Sequence, residues 1–148
     1  MEANRLRGNS LDMKLLVDTS FLIYCAEKGR DFLSLAEEAL GEPLECYVLK
    51  DVLGELRALR AKPGKRGLMA SAAAQIAEKM KLLESRSEKL STDEKLILEA
   101  KRIGAAIATI DFDLIAEARE KGVPILTISE DQRIIFEGVR PQPPRGNP

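Results

Sequence analysis

The run Lys14-Leu15-Leu16-Val17-Asp18-Thr19-Ser20-Phe21-Leu22-Ile23 constrains this chain more than any other stretch. Its first residues are apolar without alternation, as in a strand buried on both faces of a sheet. The run then meets a carboxylate, and a second apolar run follows at once. In an open α/β sheet ligands bind outside the carboxyl ends of the strands, so a strand ending on Asp delivers a charge to that edge. Ile107-Ala108-Thr109-Ile110-Asp111-Phe112-Asp113 repeats the design, ending in Asp-x-Asp before a helix. Taken singly, Asp18, Thr19, Ser20, Asp111 and Asp113 are each explained as the N-cap of the helix that follows.

Between these stretches, strand patterns alternate with helical ones. Strands are expected over residues 14–18, 44–49, 105–110 and 123–128. Helices are expected over 19–27, 31–40, 51–61, 68–84, 92–103 and 112–121, most of them stopped by Gly or Pro. This alternation predicts an α/β domain with a mainly parallel central sheet of 4–5 strands and right-handed crossovers. The expected organisation is a loose leader over 1–12, with Met13 an alternative start, a folded domain over 13–138, and a disordered Pro-rich tail over 139–148.

Several function classes drop out on composition. The 148 residues hold no His, and the two Cys, Cys25 and Cys46, form no CxxC motif. A zinc site of the usual kind and a Ser-His or Cys-His nucleophile are therefore excluded. Both Cys read as small apolar residues, which fits a reducing cytoplasm. No apolar run approaches the ~18 residues of a membrane span. Neither GxGxxG nor GxxxxGK[ST] occurs, which removes the common nucleotide loops. The net charge of −1 gives no nucleic-acid footprint for the chain as a whole.

Helical geometry ranks the acidic residues. On the helix from Thr92, Leu96, Ile97, Ala100 and Ile103 define the apolar face, and Asp93 lies in its middle. Glu94, Lys95, Glu99 and Lys101 fall off that face. Ser91 and Glu94 form a capping box, which leaves Asp93 unexplained except as a complement to the helix dipole. On the helix from Asp51, Glu55 borders the stripe Val52, Leu53, Leu56 and Leu59, where a charge can also snorkel to water. Strand C-termini and helix N-termini share one edge of a parallel sheet. Asp18, Glu55, Asp93, Asp111 and Asp113 can therefore reach one cleft. Such a cluster repels itself and is tolerable around a hard divalent cation, Mg²⁺ or Mn²⁺, which needs only oxygen ligands. A metal-activated water beside a polarised phosphate gives phosphodiester hydrolysis.

In the order and spacing of four segments the sequence resembles the PIN-domain nucleases. These are Leu16-Val17-Asp18-Thr19-Ser20-Phe21-Leu22-Ile23, Val52-Leu53-Gly54-Glu55-Leu56, Thr92-Asp93-Glu94-Lys95-Leu96-Ile97 and Ala108-Thr109-Ile110-Asp111-Phe112-Asp113-Leu114. The resemblance implies a three-layer α/β/α sandwich and Mg²⁺- or Mn²⁺-dependent cleavage of single-stranded RNA by one or two ions. It implies Asp18, Glu55, Asp93 and Asp111 as the acidic set, with Asp113 as neighbour or second-metal ligand, and Thr19, Ser20 and Thr109 as orienting hydroxyls. The stretch from Ala108 through Ile128 is similar to PIN nucleases that process ribosomal RNA precursors. Toxin ribonucleases of toxin–antitoxin pairs share the core, but Lys95, Glu99, Lys101 and Arg102 interrupt the apolar run that group often carries.

Lys62-Pro63-Gly64-Lys65-Arg66-Gly67 is the best basic patch, either a solvated loop or a phosphate contact through Lys62, Lys65 and Arg66. With four Phe, two Tyr and no Trp, base stacking is not an obvious source of specificity. The resulting expectation is a cytoplasmic endoribonuclease of RNA processing. It leaves open a protein partner, antitoxin or ribosome-assembly factor, and a homodimer. The alternatives are a toxin and a non-catalytic module that binds RNA or protein. A phosphoaspartate enzyme fits poorly, because Ser20 stands where Asp-x-Asp needs its second acid.

Overall fold

The computed structural model describes residues 12–139. The leader over 1–11 and the tail from 140 lie outside the described residues. Chain order is β1 (Met13–Val17), α1 (Thr19–Lys28), α2 (Phe32–Leu40), β2 (Leu44–Leu49), α3 (Lys50–Leu59), α4 (Gly64–Ala77), β3 (Lys81–Leu83), α5 (Thr92–Ile103), β4 (Ala105–Ala108), α6 (Phe112–Glu120), β5 (Ile125–Ile128) and β6 (Ile134–Glu137). The six strands lie in the order β3-β2-β1-β4-β5-β6, and only the β5–β6 pair is antiparallel. From β1 the chain builds outward through β2 to β3, then crosses back to β4 on the other side of β1 and continues to β5. Right-handed crossovers therefore put α1–α4 on one face of the sheet and α5 and α6 on the other. Packing agrees: α4 lies against α1 and α3, α5 against β1 and β4, and α6 against β5. The strand order reverses between β1 and β4, the switch point where such sheets open a crevice.

The central strands are buried on both faces, as their unbroken apolar runs require. Leu15, Leu16 and Val17 of β1 and Ala106, Ile107 and Ala108 of β4 are fully enclosed. The Ala residues of α4 serve a packing purpose: Ala70, Ala73, Ala74 and Ala77 are buried and allow close approach to α1, whose inner face carries Phe21, Leu22 and Cys25. Burial pushes the Cys25 thiol up to about 11, which keeps it protonated and inert. Among the described residues no helix is long and apolar enough to cross a membrane.

Two strands, β3 and β6, lie outside the four stretches expected as strands, and one helix is shorter than expected. The helix expected over 68–84 begins at Gly64 and ends at Ala77, and Lys81–Leu83 pairs in parallel with β2 as a short edge strand. Local propensity favours helix through Lys79-Met80-Lys81, but tertiary partners win. Lys81 Nζ lies 3.4 Å from a carboxylate oxygen of Glu45, itself buried on β2, and over the Tyr47 ring. The last strand, β6, returns antiparallel on β5 through a turn in which Gln132 adopts φ 63°.

One close approach fixes the basic segment. A Cβ placed on Gly67 would stand 1.9 Å from the Lys62 carbonyl oxygen. The loop thus folds onto the first turn of α4 and holds Lys62 beside Lys65 and Arg66, the latter two being helical rather than in the loop expected for them. Gly54 in α3 has open space around its would-be Cβ. Gly67→Ala is therefore expected to lower stability by ~1–3 kcal/mol through overpacking against backbone. Gly54→Ala should raise it by roughly 0.5–1 kcal/mol through helix propensity. Urea unfolding of the two variants checks this opposite sign.

Candidate active site

Asp18 follows β1 directly, and its backbone N–H donates to the Ala108 carbonyl at 2.9 Å, extending the β1–β4 pairing into the loop. It occupies the N-cap position of α1 yet caps nothing with its side chain. Its Oδ2 instead accepts from Ser20 Oγ at 2.8 Å and from Thr109 Oγ1 at 2.9 Å. Those hydroxyls accept in turn: the Ile110 N–H donates to Ser20 Oγ at 3.1 Å and the Asp111 N–H to Thr109 Oγ1 at 3.0 Å. Asp18 is only 6% exposed, and Thr109 is buried. No buried side-chain oxygen among the described residues lacks a partner. Asp18 Oδ1 accepts no hydrogen bond among them, so it opens toward the cleft.

Asp111 and Asp93 arrive on helix N-termini, whereas Glu55 sits in the second turn of α3. Asp111 does cap its helix, accepting from the amides of Asp113 at 2.9 Å and Leu114 at 3.3 Å. The capping box of α5 is present in both directions: the Glu94 amide donates to Ser91 Oγ, and the Ser91 amide donates to Glu94 Oε1. This leaves Asp93 facing inward, as its place on the buried stripe predicts. Glu55 is exposed on α3 and accepts from Thr19 Oγ1 at 3.1 Å.

Asp93 reads out the field of the site. Partial burial first, then the charges of Asp18, Asp111, Glu117 and Glu55, push its carboxyl from 3.8 up to about 6. Asp18, Asp111, Glu117 and Glu55 thus all lie within electrostatic reach of Asp93. Asp113 is exposed and is not among the charges acting on Asp93. Glu117, which the sequence reading missed, is among them. Its signal was the one used for Glu55: on α6 it borders the stripe Leu114, Ile115 and Ala118. Lys62, Lys65 and Arg66 are exposed at the start of α4. Among the described residues none of the five clustered carboxylates pairs with Lys or Arg, and no three acids close around a point as a finished metal cage.

Two charges of α5 depart from expectation. Lys95 and Glu99 are buried, 8% and 4% exposed, although helical geometry puts them off the apolar face. Burial wraps further round α5 because each finds a partner. Lys95 Nζ donates to Asp51 Oδ2 at 2.8 Å, and Glu99 accepts from Arg102 at 2.6 Å. The Lys95–Asp51 pair joins α5 to α3 across the sheet edge, beside the two helix starts that carry Asp93 and Glu55.

Comparison with known proteins gives the family and the fold. The family model for the PIN domain matches residues 15–137. Ribonuclease VapC9 of Archaeoglobus fulgidus is 31% identical over 139 residues, which span 93% of this chain and 98% of the relative. Among solved structures, the PIN domain endonuclease Utp24 superposes with a TM-score of 0.71 at 21% identity, over 87% of this chain and 94% of that one. A domain of a functionally unknown protein from Methanocaldococcus jannaschii superposes with a TM-score of 0.60 at 16% identity, over 86% and 99%. These two likenesses are likenesses of fold.

Because folding raises the Asp93 pKa from 3.8 to about 6, the native chain binds that proton more tightly than the unfolded one. The linked stability is complete below about pH 4 and is lost as pH rises through 6. Asp93→Asn should therefore melt above wild type at pH 7.5 in chelator, with the difference shrinking toward pH 4. Solvent screens the partly exposed group, so the gain is about 1 kcal/mol, roughly 2–4 °C for this size. Scanning calorimetry at the two pH values checks it.

Proposed function

The chain belongs to the PIN-domain family, and on that premise we propose that it is a Mg²⁺- or Mn²⁺-dependent endoribonuclease acting on single-stranded RNA. What supports the reading is that the charges of Asp18, Asp111, Glu117 and Glu55 all act on Asp93 beside the β1–β4 switch point, with no Lys or Arg paired to any of them among the described residues. The donor set suits a hard ion: it is all oxygen, and the open arrangement leaves room for the waters and phosphate oxygens that such ions keep. The name of the 31%-identical relative, a ribonuclease, supports RNA as the substrate class.

In this reading Asp18, Asp93 and Asp111 hold one or two ions, and Asp113 and Glu117 add negative potential at the rim. When bound, the cation supplies a water of lowered pKa and polarises the phosphoryl oxygens. The chain's residues do the rest. Ser20 and Thr109 fix the Asp18 carboxylate so that one oxygen faces the substrate. Glu55, at the exposed edge with Thr19 on its carboxylate, accepts the proton of the attacking water. The water oxygen bonds to phosphorus as one ester P–O bond breaks, and the leaving ribose oxygen takes up a proton from solvent. Lys62, Lys65 and Arg66 contact the RNA backbone. We further assign the enzyme to RNA processing, on the charges of α5 that replace an apolar run. Growth arrest on expression, abolished by Asp18→Asn, would instead mark a toxin.

With Mn²⁺ and a labelled single-stranded RNA, wild type is expected to cleave and chelator to stop it. Asp18→Asn and Asp111→Asn should each cut kcat/KM by ~100-fold or more, since each removes charge from a metal-centred transition state. Cleavage that survived both substitutions would remove the site. Lys65→Ala with Arg66→Ala should raise KM and flatten its salt dependence.

A further inference from the structure

We propose that Phe112 is a stacking platform for a nucleobase of the single-stranded RNA, set beside the carboxylate cleft. The inference rests on the ribonuclease reading and adds to it a residue that grips the substrate. The chain holds six aromatic residues and no Trp. Phe21 and Phe32 are fully buried, and Tyr24, Tyr47 and Phe136 pack against the core. Phe112 alone stands out in solvent, 85% exposed.

Its place is as telling as its exposure. Phe112 is the first residue of α6, between Asp111 and Asp113. Asp111 accepts from the amides of Asp113 and Leu114, which fixes the turn. The face that α6 buries carries Leu114, Ile115 and Ala118, and a step of 100° per residue puts Phe112 just outside it, about 60° beyond Ile115. The ring is therefore held outward by the same cap that aims Asp111, and it stands one residue from a carboxylate that acts on Asp93.

The chemistry of the surroundings selects the ligand. Acids flank the ring on both sides, so a phosphate is repelled there while the uncharged face of a base is not. The other large exposed apolar residues, Leu68, Leu82, Leu98, Ile135 and Val139, belong to α4, β3, α5, β6 and the segment beyond. A lone ring between carboxylates falls short of the contiguous apolar area that protein docking uses, but it matches one base. Stacking tolerates any base, since each has a π-face. It therefore supplies grip without fixing a cleavage sequence.

The test uses the full chain, Mn²⁺ and a labelled single-stranded oligoribonucleotide. Phe112→Ala should raise KM about 5- to 150-fold, the range that one base stacked on an aromatic ring spans, with kcat and the melting temperature unchanged. Phe112→Trp should restore KM. As the sole Trp of the chain, it should also lose emission on titration with RNA. If wild type cleaves and Phe112→Ala keeps its KM, the stacking role is overturned and the ribonuclease reading stands. A fall in kcat at constant KM overturns it too, since that marks a disturbed Asp111 cap. So does Trp emission that is blind to RNA. If wild type neither cleaves nor binds the RNA, the ribonuclease reading fails and takes this inference with it.

Discussion

The hydrogen-bond knot on Asp18 Oδ2 is the constraint around which the candidate site is built. Two hydroxyls from different strand ends, Ser20 after β1 and Thr109 after β4, donate to one carboxylate oxygen. Each hydroxyl then accepts a backbone amide from the β4–α6 loop. The knot satisfies a nearly buried charge with donors that carry no charge of their own. A Lys or Arg there would also have satisfied Asp18, but would have cancelled the negative field that the site needs. Charge-assisted hydrogen bonds are the stronger class, so the knot can hold Asp18 rigid while leaving its charge intact. Because the second hydroxyl orients the Asp111 amide, the same knot sets where α6 begins and where Asp111 points.

That choice has a cost elsewhere. Carboxylates from four different elements, with Glu117 added by α6, repel one another, and the raised Asp93 pKa is the trace of that repulsion. The fold offsets it at a distance. The Lys95–Asp51 pair ties α5 to α3, two residues from Asp93 and one turn before Glu55. A largely buried ion pair is a weak source of net stability, because desolvation consumes much of its attraction. Its directional hydrogen bond still fixes the relation of two helices that like charge would spread. The cation is thus kept out of the cleft but close enough to brace it.

How much of this was legible in the sequence follows from where each signal is stored. Asp18 and Asp111 were legible because a continuous apolar run ending on Asp is a local pattern, and topology then brings such ends together. Asp93 was legible because a charge in the middle of an apolar stripe contradicts the helix's own periodicity. The capping box was fully local, and it formed. What could not be read was set by partners distant in sequence. Lys95 and Glu99 looked like surface residues until Asp51 and Arg102 were placed against them. β3 looked helical until Glu45 and Tyr47 stood beside Lys81. The plain N-cap reading was right for Asp111 and wrong for Asp18, although both follow a strand and precede a helix. The difference is Ser20 and Thr109, whose hydroxyls hold the Asp18 carboxylate by Oδ2 and turn it away from the α1 amides.

Under the proposed ribonuclease function an acidic cleft would have to receive a polyanion, and the placement of the remaining features answers that electrostatic contradiction. Metal ions would neutralise the cleft only where the acids converge, and the field falls off over about 10 Å at 0.1 M salt. Beyond that reach the RNA must be held by other means, since a net charge of −1 provides no general attraction. Two features lie outside the acid cluster and suit the two halves of a nucleotide. The segment folded over Gly67 gathers Lys62, Lys65 and Arg66 into a cationic spot for phosphate. Phe112 offers an uncharged face for a base at the point where more positive charge would pair with Asp111 or Asp113 and disarm them. In that proposal, a ring instead of a cation next to the acids holds the substrate without lowering the field of the site.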